Sequence, residues 1–183
     1  MPDLVVLVEG LSDQRFIEGV AKRKKLALDN IRLHPVHGKN KSRYNLDAWK
    51  VVAEGSQIRL LLFLDRSAEK EVVELVKRDV IGRGDYILLQ GDLEDSYPLD
   101  SLIEALNKLY ELKLTKGDVP IIPRVPIIEN ILIQNKKSKE HWKEKLAQEI
   151  ANRIPLGDLP KEVADLLTLL KTHVEPESSR VSS

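Results

Sequence analysis

The chain has 183 residues, of which 42% are hydrophobic, 4% aromatic and 32% charged. This is enough for one compact domain whose core must be filled by Leu, Ile and Val. Its 29 basic and 29 acidic residues cancel, which excludes a protein held on nucleic acid by overall field alone and leaves only a local basic patch. The lack of Cys excludes disulfides and thiolate metal sites. With no signal core and no apolar run of membrane length, the expectation is a cytoplasmic protein that does not enter a membrane.

Leu4-Val-Val-Leu-Val8 is a short apolar run that stops at Glu9. Such runs read as strands buried on both faces. Gly10 permits a tight turn, and Ser12-Asp13 is a helix-start signature followed by Phe16, Ile17, Val20 and Ala21 at helical spacing. Ile31 to Val36 is a second strand, and Pro35 suits an edge strand or a strand end. His37-Gly38-Lys39-Asn40-Lys41 is a loop, and Leu46, Trp49, Val52 and Ala53 predict a helix that Gly55 ends. A third strand over 59–64 stops at Asp65, followed by a helix near 68–79 carrying Val72, Val73 and Val76. Gly82-Arg83-Gly84 is a turn, and a fourth strand over 85–89 runs into Gln90-Gly91-Asp92-Leu93-Glu94-Asp95. Strands separated by helices of this length imply right-handed crossovers and a parallel sheet.

Beyond Glu94 the pattern changes. Leu102, Ile103, Leu106, Leu109 and Tyr110 form an amphipathic helix, and Pro120, Pro123 and Pro126 interrupt the segment behind it. Residues 127–133 fit a fifth strand or a short helix, and periodicity does not decide between them. Helices are expected over about 138–153 and 160–173. The predicted organisation is an α/β domain over 1–135, C-terminal helices over 136–174 packed on the same domain, and a disordered polar tail over 175–183.

Three apolar runs thus end at acids, and in parallel sheets ligands bind outside the carboxyl ends of the strands. Each acid also has a plainer reading. Ser12 or Asp13 caps a helix, Ser67 caps the next one, and Asp92 to Asp95 is a solvated charge run. An extended chain would place Asp92 and Glu94 on one face and Asp95 on the other. Gathered at one rim, two carboxylates about 4 Å apart repel by roughly 4 kcal/mol at an effective dielectric near 20. Proton uptake, a Lys or Arg, or a hard divalent cation would relieve that repulsion.

The string Val-Glu9-Gly-Leu-Ser-Asp13, the strand-end Asp65 and the Asp-Leu-Glu94-Asp segment resemble a Toprim domain. This is the metal-binding α/β domain of topoisomerases, bacterial primases and several nucleases. The likeness is to the Toprim domain of overcoming-lysogenisation-defect (OLD) nucleases and to small stand-alone Toprim proteins. Glu9 and Asp13 match the Glu-x-x-x-Asp after the first strand, Gly38-Lys39 the Gly-Lys turn, Asp65 the first acid of Asp-x-Asp, and Glu94 the acid after the fourth strand. Lys139 or Lys137 would supply the late lysine at a helix start. The match covers residues 3–95 well and the remainder loosely.

The resemblance implies a Rossmann-like Toprim fold: a central, mostly parallel sheet of four or five strands flanked by helices, with a C-terminal helical extension. It implies a Mg²⁺-dependent (or Mn²⁺-dependent) nuclease or related phosphodiester-transfer protein acting on DNA or RNA. Glu9, Asp65 and Glu94 would hold the metal with Asp92 nearby. Glu9, Asp13, Lys39 and Lys139 would carry catalysis, and Lys39, Lys41 and Lys137 would contact nucleic acid. One departure bears on activity: Ser67 stands where the second acid of Asp-x-Asp belongs, which favours one metal, or a module that binds nucleic acid, a nucleotide or a partner protein without cutting.

The other candidates are weaker. His34 and His37 would face opposite sides of a continuing strand, so they do not form a metal pair. Lys136, Lys137, Lys139, Lys143 and Lys145 cluster, but Glu140, Glu144 and Glu149 suit ordinary i,i+4 pairing for most of them. Trp49 and Trp142 read as packing residues. No phosphate loop is present, so an ATPase would have to be a separate partner, and an oligomer is open.

Overall fold

In the computed structural model the described residues are 2–36, 48–49, 51–52, 55–56, 58–119 and 122–174. The expected Gly-Lys loop, most of the helix before Gly55 and the tail over 175–183 lie outside them. Four parallel strands, β1 (Leu4–Val8), β2 (Ile31–Pro35), β3 (Arg59–Asp65) and β4 (Tyr86–Leu89), form one sheet in the order β2-β1-β3-β4. Val8 lies level with Pro35 on one side and Phe63 on the other, and Asp65 lies level with Leu89. Among the described residues β2 pairs only with β1, so Pro35 sits on an edge, where a missing donor does least harm.

Seven helices accompany the sheet among the described residues. They are α1 (Leu11–Arg23), α2 (Glu69–Lys77), α3 (Leu93–Ser96), α4 (Leu99–Tyr110), α5 (Arg124–Gln134), α6 (Trp142–Arg153) and α7 (Lys161–Val174). Alternate strand residues serve opposite faces, as the pleat requires. Val6, Val8, Leu61 and Phe63 join α1 and the C-terminal helices in one cluster, while Val5, Leu7, Leu62 and Leu64 meet Val72 and Leu75 of α2 in the other. Burial on both faces is why β1 and β3 are unbroken apolar runs.

Segment 127–133 resolves as helix. Ile128, Ile131 and Leu132 are the buried residues of α5, an i, i+3, i+4 spacing that suits one helical stripe and not a strand. The sheet therefore stops at four strands among the described residues. The last helices begin and end close to their expected positions, although α6 starts at Trp142 and not near 138. α6 lies against α1 at short range: a Cβ built on Gly19 would come 2.7 Å from the Ala151 Cβ. Gly19 is thus required by contact with α6, and the pair of small residues lets two backbones approach.

Candidate functional site

The acids come together because all four strands point the same way. Glu9 follows β1 directly, Asp65 is the last residue of β3, and Asp92 and Glu94 follow β4. Gly10 takes an extended conformation at the N-cap of α1. Asp13, in the first turn, accepts the Gly10 N–H at 3.0 Å and the Ser12 hydroxyl at 3.4 Å. Neither Ser12 nor Asp13 is the capping residue itself; Asp13 reaches back to the cap from three positions inside. Asp65 is only 7% exposed, and its Oδ1 accepts the Ser67 N–H at 2.7 Å. That bond folds the chain into the short turn Arg66–Ala68. Ser67 itself is exposed, and Glu69 turns to Arg66 at 3.6 Å.

Glu94 is buried at 2% exposure on the single turn of α3. Asp92 and Glu94 are brought together by this helical turn, and not by the extended alternation expected from sequence. Lys143 of α6 reaches both: its Nζ lies 3.4 Å from Glu94 Oε2 and 3.6 Å from Asp92 Oδ1. The other Glu94 oxygen, Oε1, is buried with no hydrogen-bond partner among the described residues, as is the Tyr97 hydroxyl. The Tyr97 ring packs on Phe16 with centroids 4.9 Å apart.

Burial dominates the electrostatics. The Glu9 carboxyl is pushed up to about 8 by burial, by a hydrogen bond with the Asp65 carboxyl, and by the charges of Asp65, Asp13 and Asp92. Glu94 is pushed up to about 7 by burial against the pull of Lys143. Burial raises Asp13 to about 6, against hydrogen bonds from the backbone, including the Gly10 N–H, and the charge of Lys143. Burial opposes the charge on Lys143, but Glu94 and Asp92 outweigh it and its affinity for the proton is raised. Protons and one lysine therefore supply the compensation that the acidic cluster demands. The donor set is all oxygen, as a hard divalent cation prefers. Among the described residues, no group of three or more His, Asp or Glu side chains is arranged to hold an ion as the side chains stand.

The other expected site residues fall elsewhere. Lys39 and Lys41 are outside the described residues. Lys137 lies in the turn behind α5, where its N–H bonds Leu132 O at 2.8 Å. Lys139 pairs with Glu129 at 3.3 Å, and Glu129 also accepts the Trp142 indole N–H. Lys143 is the residue that sequence reasoning passed over. It sits i−3 and i−4 to Leu146 and Ala147, at the head of the buried stripe of α6. A cation in line with an apolar stripe was the available signal. His34 stacks edge-on against Trp49 at 5.0 Å, a packing contact.

Comparison with solved structures gives the same architecture. The C-terminal region of the OLD protein of Burkholderia pseudomallei matches 96% of this chain and 100% of its own length, with TM-score 0.67 and 16% identity. Two structures of the C-terminal region of the Xanthomonas campestris pv. campestris OLD protein match with TM-scores of 0.67 and 0.61. They cover 94% and 95% of this chain and 94% and 96% of theirs, at 14% and 17% identity. The chain has the fold of the OLD C-terminal region. This is the fold that the Toprim resemblance implied, and at these identities the likeness speaks for the fold. No family model and no curated protein matches the sequence. Among the described residues no helix is long and apolar enough to cross a membrane.

Proposed function

We propose that the chain is a divalent-cation-dependent protein that cleaves phosphodiester bonds in nucleic acid at the acidic rim. The observation that carries this reading is the convergence of Glu9, Asp13, Asp65, Asp92 and Glu94 at the carboxyl ends of parallel strands, with Lys143 delivered from a distant helix. Glu9, Asp65 and Glu94 would hold a single Mg²⁺ or Mn²⁺, with Asp92 beside them. The buried, unpartnered Glu94 Oε1 is a vacant acceptor of the right kind. When bound, such a cation polarises a phosphoryl oxygen as a Lewis acid.

The chain's own groups do the rest. If Asp65 and Glu94 hold the cation without it, Glu9, whose carboxyl burial and the neighbouring acids push up to about 8, would instead take or return a proton near neutral pH. Asp13, tied to Gly10, keeps the turn after β1 in place. Lys143 puts a permanent positive charge where negative charge would develop on a transferring phosphoryl group. DNA and RNA are both candidate substrates. The test is cleavage of plasmid DNA and of labelled single-stranded DNA and RNA with Mg²⁺ or Mn²⁺. Glu9→Gln and Asp65→Asn are expected to abolish cleavage with the fold intact. Unchanged cleavage in either variant defeats the reading.

Ser67 favours a second reading. It offers a hydroxyl where a carboxylate would be expected, so the rim suits a module that binds nucleic acid, a nucleotide or a partner protein without cutting. Cation binding by calorimetry without turnover on any substrate would support that alternative.

A further inference from the structure

The turn that carries Glu94 is held from outside. α3 is a single helical turn, too short to persist by itself, and its carbonyls have no partners within the helix. Arg124, the first residue of α5, supplies the donors. Its Nη1 reaches the Glu94 carbonyl at 3.1 Å and the Tyr97 carbonyl at 2.6 Å. Asp95 completes the clamp: its Oδ1 accepts the Arg124 backbone N–H at 2.7 Å. That bond caps α5, whose N-cap residue Pro123 makes no side-chain cap. Gly91 leaves room for the arrangement, since a Cβ there would come 3.1 Å from Asp95 Oδ2. Asp95, expected to face away from the acids, is the return half of this clamp.

Leu93 and Tyr97 are buried at 2% exposure each, so the turn stays docked on the core by its apolar side chains. What Arg124 adds is the exact path of the backbone between them, and with it the place where Glu94 and Asp92 meet Lys143. We propose that Arg124 is a positioning residue for the acidic site, acting through the Glu94 and Tyr97 carbonyls. The link to cation binding rests on the function proposed above; the link to the geometry of the turn does not.

The experiment uses the full chain with Arg124→Met, which keeps much of the volume and removes every donor of the side chain, and Arg124→Lys as a partial replacement. Amide hydrogen exchange is read over residues 92–98 and over β1 and β3, and Mn²⁺ affinity is read by calorimetry. Exchange over 92–98 is expected to quicken tenfold or more in Arg124→Met, with β1 and β3 unchanged and Arg124→Lys in between. Mn²⁺ affinity is expected to fall about tenfold or more. Adding Glu94→Gln to Arg124→Met should then cause little further loss, whereas adding Glu9→Gln should cause its full separate loss. Unaltered exchange, or quickening spread evenly over the sheet, overturns the proposal, as does full additivity with Glu94→Gln. If the wild-type protein binds no Mn²⁺, the cation reading fails, and the exchange pattern alone decides the role of Arg124. If Arg124→Met does not fold, Arg124→Lys is judged by the same exchange criterion.

Discussion

Replacing Glu94 by Gln should stabilise the protein at alkaline pH while removing one carboxylate from the acidic rim. Glu94 is 2% exposed and its carboxyl titrates at about 7, against an ordinary 4.5. Its proton is therefore bound more tightly in the folded chain than in the unfolded one. The stability that this contributes is complete below about 4.5 and is lost as the pH rises through about 7. A gap of about 2.5 pH units, at roughly 1.4 kcal/mol per unit, sets a ceiling of about 3–4 kcal/mol. Gln is nearly isosteric with the protonated acid and carries no titration. Glu94→Gln should thus be close to neutral at pH 5 and stabilising by about 1–3 kcal/mol at pH 8.5. For a chain of this size, that is about 2–4 °C in Tm per kcal/mol. Thermal and urea unfolding at pH 5, 7 and 8.5, with EDTA present, would measure it. Equal destabilisation at all three pH values would refute the argument, because it would mean that the Lys143 pair outweighs the burial of the Glu94 charge.

Further outcomes follow from the same geometry. Stabilisation of the wild-type chain by Mn²⁺ should grow from pH 5 to pH 8.5, because Asp13, Glu94 and Glu9 titrate at about 6, 7 and 8 and protons compete with a cation for the same oxygens; a Tm shift that ignores pH would contradict this. Lys143→Met should raise the Glu94 titration above about 7, followed by carboxyl NMR, because the lysine now lowers it; an unmoved titration would mean that the ion pair is not formed in solution. Gly19→Ala should destabilise by about 1–3 kcal/mol through overlap with Ala151, offset by roughly 1 kcal/mol of helix propensity, and Ala151→Gly should restore much of the loss; a Gly19→Ala chain of raised Tm would show that α1 and α6 can move apart freely. If nucleic acid lies over the rim, Arg66→Gln should reduce the slope of log affinity against log salt by about 1, since Arg66 follows Asp65 in the chain and its exposed guanidinium is held by Gln90 at 3.0 Å and Glu69 at 3.6 Å.

The sheet and its acidic rim were legible in the sequence because each depends on near neighbours. Leu4 to Val8 and Leu60 to Leu64 are continuous apolar runs, and a run that stops at an acid places that acid at a strand end whatever the rest of the chain does. Residues 127–133 were not legible, because seven mostly apolar residues satisfy a strand and a buried helix equally; the buried set Ile128, Ile131 and Leu132 was settled by what α5 packs against. The basic partner of the site was missed for a related reason. Choosing among Lys137, Lys139 and Lys143 depends on where α6 begins. With its start at Trp142, Lys139 precedes the helix and turns to Glu129, while Lys143 falls on the buried stripe. Arg124 carried no local signal: its partners are carbonyls at Glu94 and Tyr97, and carbonyls leave no mark in a sequence.

The packing of α1 on α6 has a consequence for synthesis. Arg23 of α1 bonds the Ala151 carbonyl across 128 positions of chain. A ribosome releases the strands, Glu9, Asp65 and Glu94 well before it releases Lys143 and α6, the helix that packs on α1 and α4. Until then the nascent chain carries the uncovered apolar sides of α1 and α4, and clustered carboxylates that still lack their lysine. Completion of this packing must wait on the synthesis of α6.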